Sequence, residues 1–198
     1  MNKVSTQTSR PTTRTADGLP RWSWTVPEIE RMAASGYFAD EDRFELLGGE
    51  IVPTSPKGRR HEILREALAF RFSRNAPEGV FVASEPQFNL AADTFAVPDI
   101  LVRPSGIKTP DMRGGQALLV IEISDTSLAY DLGMKARLYA AHGVQEYWVI
   151  NAVTLAATVH TRPTESGYAE ITEVPRDAVI SPTLVPGLAV SLAAIDLD

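Results

Sequence analysis

Asp99, in Val97-Pro98-Asp99-Ile100, and Glu122, in Val120-Ile121-Glu122-Ile123-Ser124, are acids set within otherwise apolar segments. A carboxylate in such a strand is costly unless it is paired, solvated at the strand end or bound to a cation. Two of them on neighbouring strands make a hard-oxygen site suited to Mg²⁺ or Mn²⁺, with positions left open for water and a phosphate oxygen. A metal held there can activate water and stabilise the charge that develops as a phosphodiester is attacked. The alternative is that each acid lies at a solvated strand end or pairs with an arginine. Lys135 follows Glu122 on a helical segment, from which a flexible ammonium can reach back to the strand ends. Its other reading is a solvated helix lysine paired with Asp131 at i,i+4.

These residues need strands to present them. Three apolar segments, Val80 to Leu90, Phe95 to Arg103 and Ala117 to Ser124, read as strands, the last of them containing the near-continuous run LLVIEI of a strand buried on both faces. A helix from about Leu128 to His142, capped by Asp125 or Ser127 and stopped by Gly143, leads to another buried strand, Glu146 to Asn151. Strand, helix, strand in that order is a βαβ crossover, which sets its two strands parallel and makes the sheet mixed. Upstream, Thr25 and Pro27 signal a helix start, and Arg43 to Val52 reads as a hairpin around Gly48-Gly49. From about Lys57 to Asn75, Ile63, Leu64, Ala67, Leu68 and Phe72 recur at helical spacing, opposite a basic face. Downstream, Thr154 to Thr161 and Tyr168 to Val174 alternate as a peripheral hairpin.

The expected architecture is therefore α/β: a mixed central sheet flanked by helices, with an N-terminal helix and hairpin and a C-terminal hairpin. Residues 1–20, rich in Ser, Thr, Arg and Pro, read as a disordered tail, and 21–198 as a single domain. The chain contains no cysteine, which excludes disulfides, thiolate metal sites and a cysteine nucleophile. No apolar run is long enough to span a membrane, and the N-terminus lacks a secretory h-region, so a cytoplasmic location is expected. The formal net charge of −6 argues against bulk coating of nucleic acid. Its distribution is uneven, however: residues 1–80 carry 12 basic and 11 acidic side chains, residues 81–198 carry 7 and 14. A basic surface has to come from the N-terminal half.

Taken in order, Phe44-Glu45-Leu46-Leu47-Gly48-Gly49-Glu50-Ile51-Val52, Pro98-Asp99, Glu122-Ile123-Ser124, Asp131-Leu132-Gly133-Met134-Lys135 with Tyr139, and Gly143 to Ile150 resemble the Uma-two family of endonuclease-like proteins. That family is a branch of the P-D-(D/E)-X-K nuclease superfamily, and the resemblance runs from about Thr25 to Asn151. It implies a restriction-endonuclease-like core, Mg²⁺-dependent hydrolysis of DNA, and a metal held by Asp99, Glu122 and the backbone carbonyl of Ile123. The sequence departs from the superfamily pattern at Ser124, where the lysine would stand and where serine supplies no charge. Lys135 is the candidate migrated lysine, since members of the family commonly carry it in this helix.

Glu45 is a supplementary acid on the same resemblance, or a hairpin carboxylate paired with Arg43. Lys57, Arg59, Arg60 and His61 are candidate DNA contacts at the start of the basic helix; a solvated basic face and a capping or surface histidine are the alternatives. Trp22, Trp24 and Tyr37 read as core or staple residues. Double-strand cutting would favour a homodimer. The competing function is a non-catalytic DNA-binding or regulatory module that keeps the nuclease fold; a third is an oligomeric interaction protein whose strand acids are structural.

Overall fold

Thr25 starts a helix in the way its type predicts. The Glu28 carboxylate reaches back to accept hydrogen bonds from the Thr25 backbone N–H at 2.9 Å and hydroxyl at 2.8 Å, and Pro27 sits where no intrahelical N–H is needed. The structure, a computed structural model, describes residues 12–14, 18–54 and 56–195. They fall into two compact units, residues 1–54 with 92–95, and residues 55–91 with 96–198.

In the first unit, β1 (Thr12–Arg14) pairs antiparallel with β2 (Pro20–Trp22), followed by α1 (Val26–Ala34) and the hairpin β3 (Phe44–Leu47) and β4 (Glu50–Pro53). Most of the expected tail lies outside the described residues. The hairpin turns on Gly48 and Gly49, both at positive φ, the conformation a tight hairpin turn asks for. At Gly49 a Cβ would also fall 2.0 Å from Ser23 Oγ, so glycine is required on two counts. Trp22 and Tyr37 are exposed, not core residues; Trp22 leans on Trp24 and Tyr37 on Phe38, with ring centroids 6.0 and 5.3 Å apart.

The second unit carries α2 (Arg59–Asn75), β5 (Val80–Ser84) and β6 (Phe88–Ala91) and, after β7 (Thr94–Ala96), whose first two residues belong to the first unit, β8 (Ile100–Pro104) and β9 (Leu119–Ser124). The chain continues through α3 (Leu128–Tyr130), a π turn (Asp131–Lys135), α4 (Ala136–Ala141), β10 (Glu146–Asn151), β11 (Ala157–Thr164) and β12 (Gly167–Val174). A short pair, β13 (Val179–Ile180) and β14 (Val190–Ser191), closes it.

Six strands form one sheet in the order β12-β11-β10-β9-β8-β5. Only β9 and β10 run parallel, as the crossover requires, so the sheet is mixed. Alternation along β9 sorts the core. Leu119, Ile121 and Ile123 meet Leu64, Leu68 and Phe72 of α2, while Val120 meets Ala136, Tyr139 and Val144 on the opposite side. Each fully buried side chain of the α2 stripe is worth about 1.5–3 kcal/mol of removed apolar surface.

Two expected strands are each broken in two. The first breaks at Glu85, which adopts φ of 49°, followed by Pro86; the second breaks at Val97-Pro98-Asp99, where proline has no N–H for the ladder. The second break delivers Asp99 to the head of β8. The C-terminal hairpin forms the edge of this sheet: β11 pairs with β10 and carries β12 outermost. After it, Ile180, Val185, Leu188, Val190 and Leu192 join the α2 side of the core. Glu146 ties that segment down, accepting from Trp148 Nε1 and from the Thr183 N–H, both at 2.7 Å.

His160 on β11 is buried beside the rings of Tyr147 and Tyr168, with centroids 5.3 and 5.5 Å away. Burial holds its pKa below the usual histidine value, although hydrogen bonds to the backbone of Tyr147 and Thr158 oppose the shift. Its folded form is therefore neutral where the unfolded chain takes up a proton. The stability this protects is complete above the unfolded pKa of about 6.5 and is lost as pH falls below it, at up to about 1.4 kcal/mol per pH unit. In His160→Asn the fall of unfolding free energy between pH 6.5 and 5 should be shallower than in wild type by denaturant titration. Equal slopes would contradict this role.

Candidate active site

Asp99 and Glu122 come together because of strand register. β8 and β9 are antiparallel with Ile100 opposite Ile121, and one further step of the same register sets Asp99 beside Glu122. The two strands are also tied directly, since the Ile123 N–H donates to Asp99 Oδ2 at 2.7 Å. Both acids are buried, Asp99 at 2% and Glu122 at 4% exposure.

Each carboxylate carries its own ammonium. Lys57 Nζ lies 2.6 Å from Asp99 Oδ1 and 2.6 Å from Glu85 Oε1, while Lys135 Nζ donates to Glu122 Oε1 at 2.8 Å. His61 Nε2 is 3.0 Å from Asp99 Oδ2, and Tyr139 donates its hydroxyl to Glu122 Oε1 at 2.9 Å. Burial works against ionisation of Asp99, but the His61 hydrogen bond and the Lys57 charge outweigh it and hold the carboxyl below its ordinary range. Burial likewise disfavours the Lys57 ammonium, and Asp99 and Glu85 overcome that too, raising its pKa. The site is thus a pair of buried acids, each facing a lysine.

Lys135 is not a solvated lysine, although its charge also acts on Asp131. It is buried, its ammonium is on Glu122, and Asp131 accepts from the hydroxyls of Ser124 and Ser127 at 2.6 Å each. Ser124, at the position of the superfamily lysine, is fully buried in that contact. Lys57 and His61, read as DNA contacts, point at Asp99, whereas Arg59 and Arg60 are exposed at the start of α2. Glu45 is buried on β3 of the first unit.

Two participants named in the sequence, His61 as a candidate DNA contact and Tyr139 without a role of its own, have spacings that fit the places they take. His61 extends the buried stripe Leu64, Leu68, Phe72 by one turn, a spacing that places its ring on the sheet side of α2. Tyr139 lies four residues after Lys135, on the same helix face. Glu85 gave no periodic signal, since its place depends on the positive φ at the break after β5.

The donor set suits a hard divalent ion. Among the described residues no three acids or histidines cluster as a ready-made cage. Mg²⁺ does not need one, because it binds through one or two carboxylates and keeps waters or substrate phosphates as its remaining ligands. Two carboxyl groups on adjoining strands, each already facing a lysine, meet that requirement.

A family model described as "Putative restriction endonuclease", Uma2, matches residues 26–194. The chain belongs to the Uma2 family. A solved structure described as a "putative nuclease belonging to DUF820 from Anabaena variabilis" is similar in fold to this Uma2 protein, with a TM-score of 0.65 and 19% identity over 85% of this chain and 95% of that chain. The type IIG restriction endonuclease BpuSI aligns with a TM-score of 0.37 and 12% identity over 58% of this chain and 13% of that chain. No curated protein matches. The fold class expected from the sequence, a mixed sheet flanked by helices as in nucleases of this kind, is the one observed. Among the described residues no helix is long and apolar enough to cross a membrane.

Proposed function

We propose that this Uma2 protein is a metal-dependent DNA endonuclease centred on Asp99 and Glu122. The observation that carries the reading is the juxtaposition of two buried acids on adjoining strands, with a lysine brought to Glu122 from the following helix. Asp99, Glu122 and the Ile123 carbonyl would hold Mg²⁺ or Mn²⁺. When bound, the ion supplies Lewis-acid polarisation of a phosphoryl oxygen and lowers the pKa of water.

The protein's own groups do the rest. Lys135 contributes positive charge toward the phosphate oxygens as negative charge builds on them, and Tyr139 fixes the Glu122 carboxylate it bonds. His61 and the Ile123 N–H orient Asp99. Arg59 and Arg60 offer exposed charge to the DNA backbone, and Lys57 joins them when the ion neutralises Asp99 in its stead. The resemblance of the Phe44–Val52 segment implies a role as supplementary acid for Glu45. A homodimer acting in the cytoplasm would address both strands of a duplex.

The test is thermal unfolding with EDTA, Mg²⁺ or Mn²⁺, combined with DNA binding across a salt series. A ligand that binds only the native state raises its stability through mass action. The proposal expects a divalent-specific rise that is lost in Asp99→Asn. Salt-sensitive DNA binding with no metal response and no cleavage would favour the non-catalytic module, which Ser124 in the lysine position motivates.

A further inference from the structure

We propose that Ser124, Ser127 and Tyr147 act through Asp131 as a latch that sets Lys135 on Glu122, so that the serine standing at the superfamily lysine position is a positioning residue for the migrated lysine. The inference rests on the nuclease reading for its catalytic consequence, and on geometry alone for the latch.

Three hydroxyls from three elements converge on one residue. Ser124 at the end of β9 and Ser127 before α3 both donate to Asp131 Oδ2 at 2.6 Å, and Tyr147 of β10 donates to the Asp131 carbonyl at 3.1 Å. Asp131 is 3% exposed and Ser124 0%. Burial raises the Asp131 pKa in spite of the Ser124 and Ser127 hydrogen bonds, so keeping the group here opposes stability instead of adding to it. A buried acid held at such a cost calls for a purpose other than stability.

That purpose is the π turn. Asp131 opens it, and the Asp131 carbonyl accepts from the Ala136 N–H, five residues on. Such turns are rare inside helices and cluster at functional sites. In an unbroken α-helix, residues four apart drift by about 40° per step, which would spread Asp131, Lys135 and Tyr139 over an arc of about 80°. The wider turn takes up part of that drift, and all three are buried on the sheet side. With Asp131 pinned to both parallel strands, the next turn has its register fixed, and Lys135 Nζ meets Glu122 Oε1. A lysine on β9 needs no such device; a lysine moved to the helix does.

The experiment reads Lys135 directly. The lysines of the chain are Lys3, Lys57, Lys108 and Lys135, which reductive methylation with formaldehyde, followed by mass spectrometry, resolves one by one. In the full-length wild type, Lys135 should react far more slowly than exposed Lys108. In Ser124→Ala and in Ser127→Ala its rate should rise about five- to tenfold, the change in local opening expected when one hydrogen bond worth about 1 kcal/mol is lost, with Lys108 unchanged. Ser127→Thr, which keeps a hydroxyl, should protect Lys135 as the wild type does. Unchanged Lys135 labelling in both alanine variants overturns the latch. So does Ser127→Thr behaving like Ser127→Ala, or an equal loss of amide-exchange protection along all of β9. On plasmid DNA the alanine variants should lose kcat with little change in KM. Failure of the wild type to cleave would count against the nuclease reading and leave the labelling result to decide the latch.

Discussion

Lys135→Met is expected to destabilise the metal-free protein by about 3–5 kcal/mol, the usual consequence of removing one partner from a buried ion pair. Lys135 and Glu122 are 6% and 4% exposed, and methionine keeps most of the lysine volume while leaving the Glu122 charge facing an apolar group. For a domain of this size the loss corresponds to a fall in Tm of roughly 10 °C. A divalent ion should restore part of it, because the ion supplies the positive charge that the ammonium no longer does. Cleavage should not return with stability, since the charge Lys135 directs at the phosphate is absent. Denaturation of both proteins in EDTA and in Mn²⁺ checks this. A variant as stable as wild type in EDTA, or one equally unresponsive to Mn²⁺, would refute the account of Lys135.

The second large effect belongs to Asp99. Its carboxylate accepts from the Ile123 N–H, Lys57 and His61, and so it serves the fold as well as the proposed metal. Asp99→Ala should cost stability, about 1–3 kcal/mol for the stranded Ile123 N–H alone, and abolish metal stabilisation. Asp99→Asn separates the two roles. Its carbonyl oxygen can still accept from Ile123, so most of the stability should remain, whereas the loss of charge removes the metal response and the cleavage that depends on it. Calorimetric titration with Mn²⁺ reads the response. Wild-type affinity in Asp99→Asn would show that the ion, if bound, is held elsewhere.

The sequence was most informative where periodicity and composition act locally. The LLVIEI run, the Leu64, Leu68, Phe72 stripe and the crossover between β9 and β10 follow from burial on one or both faces, and all are observed. The acid pair was legible because a charge inside an apolar strand demands an explanation. What stayed hidden depends on non-local geometry. The split of Phe95 to Arg103 was written in Pro98 but was outweighed by the apolar run, and it decides where Asp99 stands. The C-terminal segment after β12 has too little periodicity to reveal that Ile180, Val185 and Leu188 cover the sheet. Lys57 and His61 looked like a basic surface because spacing along a helix does not say which cations turn inward to meet a carboxylate 42 and 38 residues away, respectively. The π turn has no sequence signature at all, and without it Lys135 and Asp131 read as an ordinary i,i+4 pair.

The central claim is that Asp99 and Glu122 form a metal-dependent phosphodiesterase centre, and cleavage of supercoiled plasmid by purified protein tests it most directly. Wild type and Glu122→Gln, prepared identically, are incubated with Mg²⁺, Mn²⁺ or EDTA. The account predicts nicking or linearisation by wild type with either metal and none with EDTA. For Glu122→Gln it predicts a rate lower by about 10³-fold or more, the loss expected when a metal that stabilises several kcal/mol of transition-state charge is no longer held. Cleavage by Glu122→Gln at the wild-type rate, or cleavage by wild type that persists in EDTA, would contradict it.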